Sequence, residues 1–344
     1  MRIIAFPFVG IAYTKAFYAA VQAQGGEVVE GNFSGRWLLN NLKKADIVHL
    51  HWPSFLYLSS GGYLEVLLSF SRFLMLLAMI RLKGSSVCWT AHNLLPHQRC
   101  IMPSLDNLAR HIVIEMSSRI FVHGIEAERV LNKCFPRSRT KCVVIPHGNW
   151  IGSYKPAQAR ESARIELGLP ENKFIYLCFG QCKPYKNLEG LIRAFRREAS
   201  ASDYLLIAGS FSNHVYYSSI ETLVGNDSRI RIDAKFIAED EVSVYLSASD
   251  AVCIPYHKIL TSGVAMLSLS FGKPVVSIDK GFLRDVIIQK TGILVQPGND
   301  IALASALRDV RDQPWCSEEI VQHAKQYSFD DAARTFLNAI KPTP

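Results

Sequence analysis

The chain has 344 residues, of which 49% are hydrophobic and 20% are charged. This composition excludes a disordered protein and predicts one large or two medium folded domains. The net charge of +8 favours a polyanionic partner, which means a nucleotide diphosphate, an anionic lipid surface or nucleic acid. Because no run of five or more lysines and arginines occurs, and no aromatic RNA-binding signature is present, we expect no nucleic-acid partner.

The eight cysteines are scattered along the chain and form no paired zinc-binding pattern. Several of them lie inside apolar runs, so the sequence predicts free thiols in a reducing compartment, the cytoplasm. The first residues, MRIIAFPFVG, lack the long apolar core and the cleavage site of a signal peptide. We therefore interpret them as a first strand.

Strand-like and helix-like patterns alternate over residues 1–150. The predicted first strand is Arg2–Phe8, and later buried strands end in the sequences HLHWP, TAHNLLPH and PHGNW. This alternation predicts an α/β fold with a doubly wound parallel sheet. The carboxyl ends of parallel strands share one edge of the sheet, so that edge should carry the histidines of these sequences: His51, His92, His97 and His147.

The most apolar stretch is residues 63–83, which Glu65, Arg72 and Arg81 interrupt. It is therefore too short and too broken for a membrane-spanning helix. Two interpretations stay open. The stretch is either a buried or half-buried core helix, or a helix whose apolar face dips into a membrane surface.

Residues 151–172 interrupt the alternation with glycine, proline and charged residues, and we predict a linker there. The alternation then restarts over residues 173–327, which predicts a second lobe. Residues 328–344 hold a last helix that could pack back on the first lobe. Two such lobes would place a cleft between the carboxyl ends of their sheets, where ligands of open α/β sheets bind.

The second lobe begins with the sequence FGQCKPYKNLEGLIRAF. A strand ends at Gly180, a loop holds Lys183 and Lys186, and a helix follows. Two ammonium groups beside a helix start suit a diphosphate group. The alternative is an ordinary basic loop in contact with water.

A second candidate anion site lies in residues 252–276, where a strand and a small-residue turn precede an apolar helix. Thr261 or Ser262 can cap this helix, and Gly263 lets a ligand approach the backbone N–H groups of the first turn, which includes Val264. The alternative is a simple strand–helix unit of an α/β core. The presence of the first anion site in the same lobe favours the functional interpretation.

These two motifs, together with IVHLHWP and TAHNLLPH, resemble those of the GT-B glycosyltransferases, in particular the family-4-like group. The resemblance extends to the inverting subset that contains xanthan-type exopolysaccharide β-mannosyltransferases. It implies two Rossmann-like lobes, an acceptor-binding first lobe over residues 1–150, and a second lobe that binds a nucleotide sugar. It also implies transfer of a hexose, with mannose from GDP-mannose favoured and UDP-sugars open.

The sequence departs from the retaining members of this group, which carry two glutamates eight positions apart in the later motif. Counted back from Gly272, these places are held by Ile259 and Leu267. The departure favours an inverting reaction. A retaining enzyme that uses a UDP-sugar, or a non-catalytic nucleotide-sugar-binding partner subunit, stays as an alternative.

An inverting transfer needs a base for the acceptor hydroxyl and positive charge for the departing diphosphate. Lys183, Lys186 and the backbone at residues 262–264 would supply the charge, so we expect no metal and no other cofactor. We choose His97 as the base. The other candidates for the base are His92, His51, Asp106 and Glu115. The resemblance places His92 on the donor sugar, so we predict that His92 and His97 are the catalytic residues. Phe236 is expected to line the nucleotide base.

The resemblance also implies a polyprenyl-diphosphate-linked oligosaccharide as acceptor, which the loop with Tyr13 and Lys15 would face. The positive charge and residues 63–83 fit such an acceptor in an anionic membrane surface. We therefore expect a cytoplasmic protein that works either free or bound to the inner face of the cytoplasmic membrane.

Overall fold

The structure is a computed structural model that describes residues 1–8, 10–59, 61–96 and 100–341. It divides into two compact units. The first contains residues 1–148 and 328–344, and the second contains residues 149–327. The chain therefore leaves the first unit once and returns to it once.

The first unit is built on a parallel six-stranded sheet with the order β2-β1-β3-β4-β5-β6. Its apolar strands are buried, as expected for a parallel sheet that helices cover on both faces. In chain order its elements are β1 Arg2–Phe6, α1 Ala12–Ala23, β2 Glu27–Glu30, α2 Gly35–Asn41, β3 Ile47–Leu50, α3 Tyr63–Leu82, β4 Ser86–Thr90, α4 Pro103–Met116, β5 Ser117–Val122, α5 Ile125–Cys134 and β6 Cys142–Val144.

The second unit has another parallel six-stranded sheet, with the order β12-β11-β10-β7-β8-β9. Its elements are α6 Arg160–Leu167, β7 Phe174–Phe179, α7 Leu188–Glu198, β8 Asp203–Ala208, α8 His214–Val224, β9 Ile230–Asp233, α9 Val242–Ala248, β10 Ala251–Ile254, α10 Gly263–Ser270, β11 Val275–Ile278, α11 Phe282–Val286, β12 Gly292–Val295, α12 Asp300–Asp312 and α13 Ser317–Ala324.

The last helix, α14 Phe329–Ile340, belongs to the first unit. Its Phe336 is fully buried and packs edge-on against Phe17 of α1, with ring centroids 5.2 Å apart. The predicted α/β architecture with two doubly wound sheets is therefore confirmed.

Residues 151–172, which we predicted to be a linker, lie in the second unit. Helix α6 is held there by Arg164, whose side chain is fully buried. The Arg164 guanidinium donates to the Asp250 carboxylate at 2.5 Å and to the Ala248 carbonyl at 3.0 Å. A buried charge is tolerated only when it is paired and hydrogen-bonded, so this arrangement fixes α6 on the second unit.

Helix α3 has one buried stripe and one exposed apolar face. Val66, Phe70, Phe73, Leu77 and Ile80 form most of the stripe and recur at the helical period. On the other face Leu64, Leu68 and Leu82 are exposed to 71%, 62% and 87%. We predicted this stretch to be too short and too broken to span a membrane, but the helix has 20 residues and by length and composition alone could cross one. In its most apolar 18-residue window, 33% of the residues are buried.

Candidate active site

The basic loop of the second unit follows strand β7. Gly180 has a φ of +88°, a left-handed conformation that favours glycine. The chain then forms a short 3-10 helix, Pro184–Lys186, and Asn187 caps α7 by accepting a hydrogen bond from the Gly190 amide at 3.1 Å. This local geometry brings both predicted lysines to the carboxyl edge of the sheet.

Lys186 is 4% exposed, and its Nζ donates to the Phe179 carbonyl at 2.8 Å. The same Nζ lies 5.1 Å from the centre of the Tyr256 ring. Lys183 is half-buried, and burial together with the charge of Lys186 lowers its pKa. Neither lysine forms an ion pair with a described residue. The loop therefore carries two cations with no carboxylate partner in the described part of the chain.

Helix α10 begins at the second predicted anion site. Ser262 is its N-cap and accepts a hydrogen bond from the Ala265 amide at 3.2 Å. Thr261, Gly263 and Val264 are half-exposed, so the first turn keeps an accessible backbone. Of the two cap candidates, Ser262 takes this role.

The two predicted anion elements meet in the structure. A Cβ atom placed on Gly180 would lie 3.2 Å from Lys186 Nζ and 3.7 Å from Val264 Cγ2. A helix N-terminus and an ammonium group therefore converge beside Gly180, an arrangement that suits an anion.

Sequence reasoning missed Trp150, which holds α10 in place. Its backbone N–H donates to Ser270 Oγ at 2.9 Å, and its indole Nε1 donates to the Gly263 carbonyl at 3.3 Å. It also missed Tyr256, the ring over which Lys186 lies. Trp150 ends the sequence PHGNW and Tyr256 lies within residues 252–276, but both are positioned by contacts distant in sequence, which no local pattern indicates.

The structure places three other predicted positions as follows. Phe236 is 77% exposed, whereas the neighbouring Ile237 is buried. Leu267 is buried within α10 and Ile259 is half-buried. Both positions hold aliphatic side chains, so the second unit offers no carboxylate at either of them.

The carboxyl edge of the first sheet carries a cluster of buried histidines. His51, His92 and His147 are between 1% and 6% exposed. We predicted them as loop residues at strand ends, and the structure adds His49 in β3 and His123 after β5, both fully buried. The predicted base, His97, lies outside the described residues.

Five side chains of this cluster form one continuous hydrogen-bond chain: Thr90, His49, Tyr18, His51 and His92. His49 Nε2 lies 2.8 Å from Thr90 Oγ1, and His49 Nδ1 lies 2.9 Å from the Tyr18 hydroxyl. The Tyr18 hydroxyl is also 2.8 Å from His51 Nε2. His51 Nδ1 is 2.9 Å from His92 Nε2.

Tyr13 lies between His92, at the end of this chain, and the two histidines outside it. Its ring centre is 4.8 Å from that of His92, 5.2 Å from that of His123 and 5.0 Å from that of His147. The hydroxyl of Tyr13 and both ring nitrogens of His123 are buried without a hydrogen-bond partner among the described residues. The resemblance had placed the Tyr13 loop toward the acceptor.

Burial lowers the pKa of every histidine in this cluster, and neighbouring histidines lower the pKa of most of them further. His147, for which a hydrogen bond with the Gly148 carbonyl opposes the effect of burial, has a pKa of about 4. All five imidazoles are therefore neutral at pH 7. No group of three or more histidine, cysteine or acidic side chains in the described residues is arranged to hold a metal ion.

The two acidic candidates for the base lie elsewhere. Asp106 is buried and accepts hydrogen bonds from the Tyr57 hydroxyl and the Cys100 amide, both at 3.0 Å. Glu115 is on the surface, where a hydrogen bond from Arg137 lowers its pKa. Each carboxylate thus already has a structural partner.

The family model described as glycosyl transferases group 1 matches residues 159–327, almost the whole second unit. A GDP-mannose:glycolipid 4-beta-D-mannosyltransferase of Xanthomonas campestris pv. campestris is 26% identical over 283 residues, which cover 79% of this chain and 74% of the relative. A D-inositol 3-phosphate glycosyltransferase of Kineococcus radiotolerans is also 26% identical, over 59% of this chain and 51% of that protein.

Among solved structures, Anabaena HepE in complex with UDP and glucose has the same fold. It superposes with a TM-score of 0.72 at 14% identity and covers 99% of both chains. The predicted GT-B fold is therefore confirmed for the described residues.

Proposed function

Since its group 1 domain and its fold make this chain a GT-B glycosyltransferase of the family-4-like group, we propose that it transfers mannose from GDP-mannose to a lipid-linked oligosaccharide. The observation that carries the proposal is the meeting of Lys186 and the start of α10 beside Gly180. The likeness to a mannosyltransferase over 79% of the chain supports the choice of donor.

In this proposal the diphosphate of the donor binds at the basic loop and the first turn of α10. Lys183 and Lys186 neutralise the charge that develops on the departing diphosphate, and the N–H groups near Gly263 donate to its oxygens. The positive charge comes from the protein, so the reaction is independent of a metal ion. The absence of carboxylates at Ile259 and Leu267 supports inversion.

The test is transfer by the purified protein with an oligosaccharide-diphosphate-polyprenyl acceptor. We expect acceptor-dependent consumption of GDP-mannose, an unchanged rate after chelation of divalent metals, and a β-linked product by proton NMR. Consumption of UDP-glucose alone would overturn the donor, and an α-linked product would overturn the inversion. Donor binding without turnover on any acceptor would instead favour a non-catalytic subunit.

We also propose that helix α3 holds the enzyme on an anionic membrane surface on the cytoplasmic side. Its exposed face combines Leu64, Leu67, Leu68 and Met75 with Arg72, so apolar burial and electrostatic attraction act together. The opposite stripe anchors the helix in the first unit. Both interpretations of residues 63–83 thus apply to different faces of one helix.

Flotation with vesicles tests this proposal. The full chain should float with vesicles that contain phosphatidylglycerol, and less with vesicles of phosphatidylcholine alone. The double variant Leu64→Ser, Leu68→Ser should lose flotation while it keeps its thermal stability, because both side chains are exposed. The matched control is Val215→Ser, Ile301→Ser, which removes two exposed apolar side chains of the second unit. Equal flotation of both variants would contradict the assignment to α3.

A further inference from the structure

Helices α2 and α3 end side by side at the amino edge of the first sheet. They precede β3 and β4, which are neighbours in that sheet. The Lys83 ammonium at the end of α3 donates to the Leu39 carbonyl of α2 at 2.6 Å. A backbone hydrogen bond of 3.1 Å also joins the two turns that follow the helices. Residues 39–45 and 81–85 therefore form one continuous surface, the basic corner.

The basic corner carries four cations without an acidic partner. Three of them are exposed and the last is half-buried: Lys43, Lys44, Arg81 and Lys83. None of the four forms an ion pair with a residue that the structure describes. Asp46, which follows in the sequence, is buried and is already paired with Arg2 at 2.7 Å. The corner therefore offers positive charge to an external anion.

The cations alone have a structural explanation, but the apolar side chains beside them do not. Positive side chains at the end of a helix interact favourably with its dipole, and all four lie at or just after the last turn of α2 or α3. The dipole does not explain Leu39 and Leu82, which are exposed to 57% and 87% in the same surface. A soluble anion would contact the cations alone. Basic and apolar side chains together are typical of a membrane interface.

Leu82 continues the exposed apolar face of α3 to its last turn. The members of this face recur at intervals of four and seven positions, which places them on one side of the helix: Leu64, Leu68, Met75 and Leu82. Leu82 stands five full turns after Leu64, a distance of about 27 Å along the axis. On the opposite side Phe73 and Ile80 are fully buried in the first unit. The helix cannot cross a membrane while these two side chains stay in the core.

We propose that the basic corner binds the phosphate groups of acidic phospholipids, so that α3 lies along the membrane surface over its whole length. The four cations donate charge-assisted hydrogen bonds to phosphate oxygens, and Leu39 and Leu82 enter the boundary between headgroups and acyl chains. The proposal deepens the proposed function, and it rests on that function for the contact of α3 with a membrane. It adds a headgroup site about 27 Å from the first turn of α3.

The orientation of α3 has a consequence for the first unit. Because α3 follows β3 and precedes β4, its first turn lies at the carboxyl edge of the sheet and its last turn at the amino edge. A helix that lies flat keeps both edges close to the headgroups. The carboxyl edge, with its histidine cluster, then lies near the level at which a lipid-linked acceptor presents its sugars.

Removal of charge from the corner tests the headgroup site. The double variant Lys44→Gln, Arg81→Gln removes one exposed lysine and one exposed arginine. The matched control is Lys133→Gln, Arg139→Gln, which removes the same two residue types from another exposed part of the first unit. One basic residue near an anionic surface is worth about a fivefold change in partitioning. The corner variant should therefore bind phosphatidylglycerol vesicles about 25-fold more weakly at low salt, and the control should bind as the wild type does.

Salt and stability separate this effect from others. At about 0.5 M salt, which screens exposed charges, the corner variant and the wild type should bind equally. Both variants should keep the wild-type unfolding temperature, because the replaced side chains are exposed. Equal losses in the two variants would show a response to net charge alone and overturn the headgroup site, as would wild-type binding by the corner variant. Loss of self-association without loss of vesicle binding would identify a second copy of the chain as the partner and also overturn it.

Depth measurements test whether α3 lies flat. Leu64, Met75 and Leu82 are replaced one at a time by cysteine in a chain that carries Cys134→Ser and Cys316→Ser, which remove two exposed thiols. A fluorophore on each new cysteine is quenched by lipids that carry quenchers at known depths. We expect the same shallow depth at all three positions, because the three side chains lie on one side of the helix.

Each of three other results would overturn the inference. A deep probe at Met75 between two shallow ends would indicate a spanning helix. A probe at Leu64 in the bilayer with a probe at Leu82 in water would leave only the start of α3 on the membrane. That result removes the headgroup site but keeps the membrane contact of the proposed function. All three probes in water would refute that contact as well.

Discussion

The two units place opposite chemistry on the same edge of the same kind of sheet. In the first unit the carboxyl ends of the strands carry five buried, neutral histidines among tyrosines. In the second unit they carry the start of a helix and two lysines that have no ionic partner among the residues that the structure describes. The first edge offers hydrogen bonds without charge, which suits sugar hydroxyls, and the second offers positive charge, which suits phosphates. Because both units have the same kind of sheet, the loops at the strand ends determine which ligand each unit suits.

The largest expected difference between the units is their response to acid. The five histidines have depressed pKa values when folded, so between those values and about 6.5 the unfolded chain binds more protons than the folded one. The contribution of these histidines to the free energy of unfolding is thus fully present above pH 6.5 and is lost as the pH falls below that value. By pH 5.5 each histidine lowers the free energy of unfolding by about 1 kcal/mol, and the five together lower it by several kcal/mol.

Hydrogen exchange measured by mass spectrometry at pH 7.5 and pH 5.5 resolves the two units. We expect protection to fall in β3, β4 and β5 after correction for intrinsic exchange rates, with a much smaller loss in β7, β8 and β10. The second unit provides the internal control, because its histidines are exposed or half-exposed. An equal loss of protection in both units would contradict this prediction.

The next largest effect concerns the charged edge. Lys186→Met keeps most of the apolar stem of the side chain but removes the ammonium group. Loss of one charge-assisted hydrogen bond is worth about 1.5–3 kcal/mol, so the Kd of GDP should rise about 10- to 100-fold in calorimetry. Lys290→Met, which removes an exposed lysine paired with Glu319, is the control. An unchanged affinity in Lys186→Met would refute the phosphate role.

The smallest expected effect is that of removing a helix cap, which can be compared between the two units. Ser262 caps α10 in the second unit, and Ser34 caps α2 in the first by accepting from the Trp37 amide at 3.4 Å. Replacement of either serine by alanine should cost about 1 kcal/mol of stability in urea unfolding. Only Ser262→Ala should also weaken GDP binding. If Ser34→Ala weakened binding equally, the effect would be one of general stability.

Features that depend on neighbouring residues could be predicted from the sequence. The alternation of strands and helices indicated two doubly wound sheets, and the spacing of Gly180, Lys183 and Lys186 indicated a basic loop at a strand end. Such patterns are local, because strand period, turn residues and caps act over a few positions.

Features that depend on distant contacts were not predictable. Residues 151–172 resemble a linker in composition, but contacts distant in sequence, such as the pairing of Arg164 with Asp250 and the bond from Arg231 to the Leu167 carbonyl, attach them to the second unit. The hydrogen-bond chain likewise joins His49 and His51 to Tyr18, which is 31 and 33 positions away. The sequence indicates histidines at strand ends but not which hydroxyl groups bond to them.

The return of α14 to the first unit has a consequence for synthesis of the protein. Phe336 stacks on His49 with ring centres 4.6 Å apart and packs against Phe121 at 4.8 Å, so the core of the first unit needs a residue that is made after the whole second unit. The second unit, residues 149–327, is contiguous in the chain. It can therefore fold on the ribosome before α14 has been made and has joined the first unit.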